Sequence, residues 1–304
     1  MPTPIHPQPF WLAQPGMQSQ PAPPIDQNTI RELFSIANID ETDINHILES
    51  RDRVPPSYRN RTEQVANTEQ FRDWIVSPTS RELLLSGEHG MNRNGTSALS
   101  LLCATMMSSI RKRTRHLGLV FFCGRHTEED DNYSGPNVLI RSLTSQLLRY
   151  PFFDTTLLSR DIDVDGVRAG DIRKLCALFG WLVKQLPRSI TLICLIDDIS
   201  SYDNDEYEID MLIVLESLIG LARDDQLTPA FKILATSPLS ADSMQKLFKE
   251  DDSCHLSVEE LPWVSHETGS VLRLQGRSDS GLEESNESES ELELDSKDDT
   301  DQSD

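Results

Sequence analysis

Along the middle of the chain, two rhythms of apolar residues alternate. Short runs in which nearly every residue is apolar occur at Leu83-Leu84-Leu85, Leu117 to Cys123, Ile190 to Ile196 and Phe231 to Ala235. A strand with one wet face would alternate with a period of two, so these runs read as strands covered on both faces. Between them, apolar residues recur at helical spacing, as in Phe71, Trp74 and Ile75, then Leu99, Leu102, Met106 and Ile110, then Leu175, Leu178, Phe179 and Leu182. Further helices are expected from Val138 to Arg149, over Asp210 to Leu221 and around Ser243 to Phe248, with a short fifth strand at His255 to Val258. Strands that alternate with helices predict an α/β fold with a mostly parallel sheet flanked by helices.

The pattern changes toward both ends. Ile30, Leu33, Phe34 and Ala37 share one helical face, with Asn28 or Thr29 as the expected cap. Asp40 and Thr42 are expected to cap a second helix through Ile44 and Leu48, and Arg53 to Arg61, with Pro55 and Pro56, reads as a linker. Residues 1–26 hold eight of the seventeen prolines and almost no charge, as in an extended arm. Pro21 to Pro24 suit either a proline-reading domain or no partner at all. Residues 277–304 carry twelve Asp and Glu against Arg277 and Lys297, too polar to offset chain entropy by burial. The expected organisation is a proline-rich arm over 1–26, a helical segment and linker over 27–64, an α/β domain over 65–262 and a disordered acidic tail over 263–304.

Composition narrows the function classes. The 304 residues carry a formal net charge of −22. A chain this acidic gains nothing from counterion release, so no nucleic-acid partner is expected. No run approaches the roughly 18 apolar residues of a membrane helix, so no membrane partner is expected either. The N-terminus lacks the basic and apolar regions of a secretory signal. Five dispersed cysteines with no CxxC pair read as reduced, mostly buried thiols, which suits the cytoplasm or the nucleus. Cys123 and His126 form one isolated pair, which is no zinc site. The basic run Arg111 to His116 ends a helix, where cations suit the dipole or serve nuclear import.

Three segments could carry chemistry. The loop Gly90-Met-Asn-Arg93-Asn-Gly95-Thr96-Ser97 follows a buried strand and opens a helix, the context of a phosphate-binding loop. Ser97 stands where a hydroxyl would meet magnesium, but Thr96 stands where the lysine should be. A charged hydrogen bond of that kind is worth roughly 1.5–3 kcal/mol, about 10- to 100-fold in affinity. The loss in rate is larger, because charge builds in the transition state. Arg93 could reach in as a substitute, though nothing in the sequence fixes its direction. The plainer reading is a polar loop with a hydroxyl cap. The second segment, Leu192 to Asp198, ends an apolar strand in two acids, with Asp197 on the magnesium side or capping the next helix. The third, Phe231 to Pro238, ends a strand in Thr236-Ser237, hydroxyls that reach a γ-phosphate or merely cap the turn.

Taken in chain order, these segments resemble the fungal NACHT-like, STAND-class P-loop NTPase domains of nephrocystin-type N-terminal-like sequence, over roughly residues 65–262. The resemblance also includes Phe71-Arg-Asp-Trp74, Phe121-Phe-Cys-Gly124, Gly135-Pro136, Leu139 to Leu143, Gln146 to Leu148 and Ile196 to Ser200. It implies a three-layer fold with sheet order 5-1-4-3-2, and ATP or GTP with magnesium in intact members. Gly90, Arg93, Gly95, Thr96, Ser97 and Thr236 then stand as nucleotide-side positions and Asp197 as the metal-side carboxylate, while the lysine is missing. The expectation is a degenerate NTPase-fold protein, more scaffold than enzyme, that binds protein partners. The alternatives are a weak nucleotide binder or slow NTPase, and an acidic nuclear protein that binds basic partners through its tail.

Overall fold

A computed structural model of the chain describes residues 25–262 apart from 37, 88–95, 129, 152 and 249–251. The arm before residue 25, most of the phosphate loop and the acidic tail lie outside the described residues. Five strands form one sheet: β1 Arg81–Ser86, β2 His116–Phe122, β3 Thr191–Asp197, β4 Ala230–Ser237 and β5 His255–Ser257. Their order is β2-β3-β4-β1-β5 and every neighbouring pair is parallel. Read from the other edge, this is the expected 5-1-4-3-2.

Successive residues of each strand enter opposite layers, as the pleat requires. On one face Leu84, Leu119, Phe121, Cys194, Ile196, Ile233 and Ala235 pack beneath α1 Gln27–Phe34, α6 Pro136–Leu147, α9 Ile172–Val183 and α10 Glu208–Ala222. On the other, Leu83, Leu85, Val120, Phe122, Ile193, Leu195 and Leu234 pack beneath α2 Ile39–Glu49, α4 Glu69–Val76 and α5 Ala98–Ile110. Both faces are therefore dry, which is why the strands carry continuous apolar runs. The remaining helices are α3 Pro56–Gln64, α7 Leu158–Asp161, α8 Val164–Arg168 and α11 Asp242–Gln245.

Several helices begin where a side-chain oxygen satisfies an otherwise unpaired first-turn N–H. Thr68 caps α4 and Asp171 caps α9 in this way. The cap of α1 is Asp26, accepting from Thr29 N at 2.8 Å, and not Asn28 or Thr29 as expected. Residues 56–64 are helical instead of a linker. Pro56 is the first helical residue, where a missing N–H costs nothing, and Thr62 turns inward.

Asp40 lies inside α2 and does not cap it. Its carboxylate is buried and takes Arg149 Nη2 on Oδ1 at 2.6 Å and Arg111 Nη2 on Oδ2 at 2.6 Å. Burial works against the charged form, but the two guanidiniums outweigh it and hold the carboxyl below its ordinary range. The first residue of the basic run thus ties α2 to α5. Gln146 does similar work at the open edge of β2. Its amide accepts from Val120 N at 3.0 Å and donates to Val120 O at 2.8 Å, so the side chain stands in for a neighbouring strand.

Candidate functional site

In an open parallel sheet, ligands bind beyond the carboxyl ends of the strands. Four features meet there: the end of β1 at Ser86, the start of α5, the end of β3 at Asp197 and the end of β4 at Thr236. Of the expected site residues, Gly90, Arg93 and Gly95 lie outside the described residues, while Thr96, Ser97, Asp197 and Thr236 are all buried.

Ser97 is the cap of α5. Its hydroxyl accepts from Ser100 N at 2.9 Å, and the Ser100 hydroxyl in turn accepts from Ser97 N at 3.2 Å, a reciprocal capping box. The hydroxyl that reaches Asp197 belongs to Ser100. On the other side, Thr236 Oγ1 donates to Asp197 Oδ1 at 2.7 Å and accepts from Asp198 N at 2.8 Å. Buried hydrogen bonds therefore join Ser97 to Ser100 and Thr236 to Asp197, with the Ser100 hydroxyl facing the Asp197 carboxyl.

Asp197 is 1% exposed. Burial, reinforced by the neighbouring Asp198 charge, pushes its carboxyl up to about 7, and the bonds from Ser100 and Thr236 only partly offset this. Asp198 adopts the left-handed conformation, with φ of 56°. Its Oδ1 accepts from Ser200 Oγ at 2.6 Å and its Oδ2 from Ser201 Oγ at 2.7 Å. Gly124 leaves room for this carboxylate, since a Cβ there would lie 2.5 Å from Asp198 Oδ2.

Thr96 differs from its neighbours. It is fully buried at the mouth of α5, yet its hydroxyl has no hydrogen-bond partner among the described residues. An orphaned buried hydroxyl costs about 1–3 kcal/mol.

Magnesium is a hard cation that needs charged oxygens free to face it. The donor chemistry of Asp197 and the serines suits such an ion, but their placement does not. Asp197 Oδ1 is engaged by Thr236, and both oxygens of Asp198 are engaged by serines. As placed, these residues do not fit a bound magnesium ion. Among the described residues, no group of three or more His, Cys, Asp or Glu is arranged to hold a metal.

A second buried cluster lies beyond β2. His126 Nε2 is 2.9 Å from Asp43 Oδ2, and its Nδ1 is 2.7 Å from Asp131 Oδ2. A neutral ring has one N–H and could satisfy only one of these carboxylates, so the geometry favours imidazolium. Burial opposes that charge, but the two carboxylates prevail and raise the histidine's pKa. Tyr202 joins the cluster to α6, donating to His126 O at 3.1 Å and accepting from Gly135 N at 3.0 Å. Of the Cys123 and His126 pair only His126 belongs to this cluster; Asp131 follows it by five residues, and Asp43 stands 83 residues before it, in α2.

The five-stranded parallel sheet, with a helix launched behind β1 and acids at the tip of β3, defines an NTPase-fold domain of the NACHT-like kind. The sequence profile described as Nephrocystin 3, N-terminal, matches residues 60–237. This is more than half of the chain, and the protein belongs to that family. The match starts within α3 and ends with the last residue of β4. No curated protein matches the sequence. Among the described residues, no helix is long and apolar enough to cross a membrane.

Proposed function

We propose that this protein is a degenerate NTPase-fold module that does not turn over nucleotide and acts by binding other proteins. The observation that carries this reading is the closed state of Asp197. The residue that would face magnesium is buried and its Oδ1 is taken by the Thr236 hydroxyl. Thr96 in the lysine position supports the same reading, because an NTPase needs that cation as charge builds on the transferred phosphoryl group. Protein-binding surfaces then remain as the function of the fold, in the cytoplasm or the nucleus.

One observation favours a second reading, weak binding of ATP or GTP. The Thr96 hydroxyl, without a hydrogen-bond partner among the described residues, lies at the N-terminus of α5, where backbone N–H groups and the helix dipole favour an anion. Such binding would need no magnesium. Calorimetric titration of the full chain with ATP and with GTP, each with and without magnesium, separates the readings. The scaffold reading expects no binding tighter than about millimolar. Micromolar binding that requires magnesium and disappears in Asp197→Ala would overturn it.

A further inference from the structure

Apart from the strand-end site, α1 and the short helices α7 and α8 enclose an apolar cleft of about 260 Å³ against α9. Its walls include Ile25, Leu33, Leu158, Val164, Val167 and Leu178, with the charges of Glu32 and Arg168 also on its lining. Val167, Leu158 and Leu178 are buried at its base, while Leu33 and Val164 remain half-buried on its walls. Half-buried aliphatic side chains around a concave surface mark a place where a further apolar group gains by leaving water.

The position of the cleft in the chain points to an occupant. Ile25, which lines it, is the residue to which residues 1–24 are joined in the chain. That entry is firmly anchored. Asp26 caps α1, and Gln27 Nε2 donates to Leu148 O at 2.6 Å and to Tyr150 O at 2.7 Å. Residues 1–24 contain no Asp, Glu, Lys or Arg, so laying them on an apolar surface desolvates no charged side chain. Their one run of three bulky apolar residues is Phe10-Trp11-Leu12. The thirteen residue-to-residue steps from Leu12 to Ile25 span up to about 45 Å, ample to turn back onto a cleft that begins at its own anchor. Because the segment is tethered, it acts at an effective concentration of the order of millimolar, so even a weak contact is populated.

We propose that Phe10-Trp11-Leu12 docks into the α1–α7–α8–α9 cleft of the same chain. The cleft is then a self-docking site, and a partner that captures the arm would expose it. This inference is independent of the nucleotide question, since it uses no residue of the strand-end site.

The test uses the full chain with p-benzoylphenylalanine in place of Trp11, photocrosslinked at micromolar protein and mapped by mass spectrometry. The expected result is crosslinks within one chain to residues of α1, α7 or α8. Their yield should fall at least about tenfold in Leu33→Lys/Val164→Lys, two half-buried wall positions, with unchanged circular dichroism. A second variant, Phe10→Ser/Leu12→Ser, leaves the folded domain untouched and should reduce the same crosslinks. Crosslinks spread over unrelated surfaces would overturn the proposal. So would crosslinks that form only between copies, or cleft crosslinks indifferent to both variants.

Discussion

Replacing Asp197 with asparagine should stabilise this protein, and increasingly so as pH rises. The substitution keeps the shape of the carboxyl group and its acceptor for Thr236 Oγ1. The Ser100 hydroxyl can rotate to accept from the new amide. What disappears is the charge. A buried carboxyl displaced from 3.8 to about 7 keeps its proton in the folded state while the unfolded chain gives it up. The unfolded state therefore releases protons that the folded state retains, and stability falls as pH rises from about 4 to about 7 before it levels off. At about 1.4 kcal/mol for each pH unit of displacement, the full cost above neutrality is of order 4 kcal/mol. Imperfect amide hydrogen bonds reduce the expected gain of Asp197→Asn at pH 8 to roughly 2–4 kcal/mol, vanishing near pH 4. Urea unfolding of the two proteins between pH 4 and pH 8.5 measures this difference. If Asp197→Asn is less stable by the same amount at every pH, Asp197 is an ionised, well-partnered carboxylate and the closed site is refuted.

Three further outcomes follow from buried polar groups. His126 has a raised pKa, so its clamp between Asp43 and Asp131 contributes fully below the ordinary histidine value of about 6.5 and is lost as pH rises through the folded value. The stability advantage of the native chain over His126→Gln should therefore be full at pH 5.5 and shrink as pH rises above about 6.5 in urea titrations. Gln146→Ala leaves both polar groups of Val120 unpaired at a buried sheet edge and should cost roughly 2–4 kcal/mol in the same assay. Asp40→Ala should cost roughly 3 kcal/mol. That is the low end for a broken buried pair, because Arg111 and Arg149 keep 23% and 24% of their side-chain surface exposed.

How much of this was legible in the sequence depends on the range of the interaction. Strands β1 to β4 could be read because both faces of each are apolar, so the signal is local. The parallel order followed from the family resemblance and is what the sheet shows. Helix α3 was hidden by Pro55-Pro56, a pair that resembles a linker until the second proline is seen as a helix start. Helices α7 and α8 have four and five residues, too few to show a period. At the strand ends, Asp197 and Thr236 were identifiable because each closes an apolar run. Ser100 was missed because spacing counted from Gly95 selects Ser97, and only the fold shows that the next turn of α5 meets Asp197. Asp40 looked like a cap because it precedes an apolar helix. Its real partners stand 71 and 109 residues away, beyond any local pattern.

On the proposed reading, an NTPase fold with Asp197 closed and Thr96 in the lysine position does not turn over nucleotide. Phosphate release by the full chain at millimolar Mg-ATP and Mg-GTP tests it most directly, with Asp197→Ala measured alongside. The account predicts release no faster than buffer alone, equal in both proteins. Turnover by the native chain that is abolished in Asp197→Ala would contradict it.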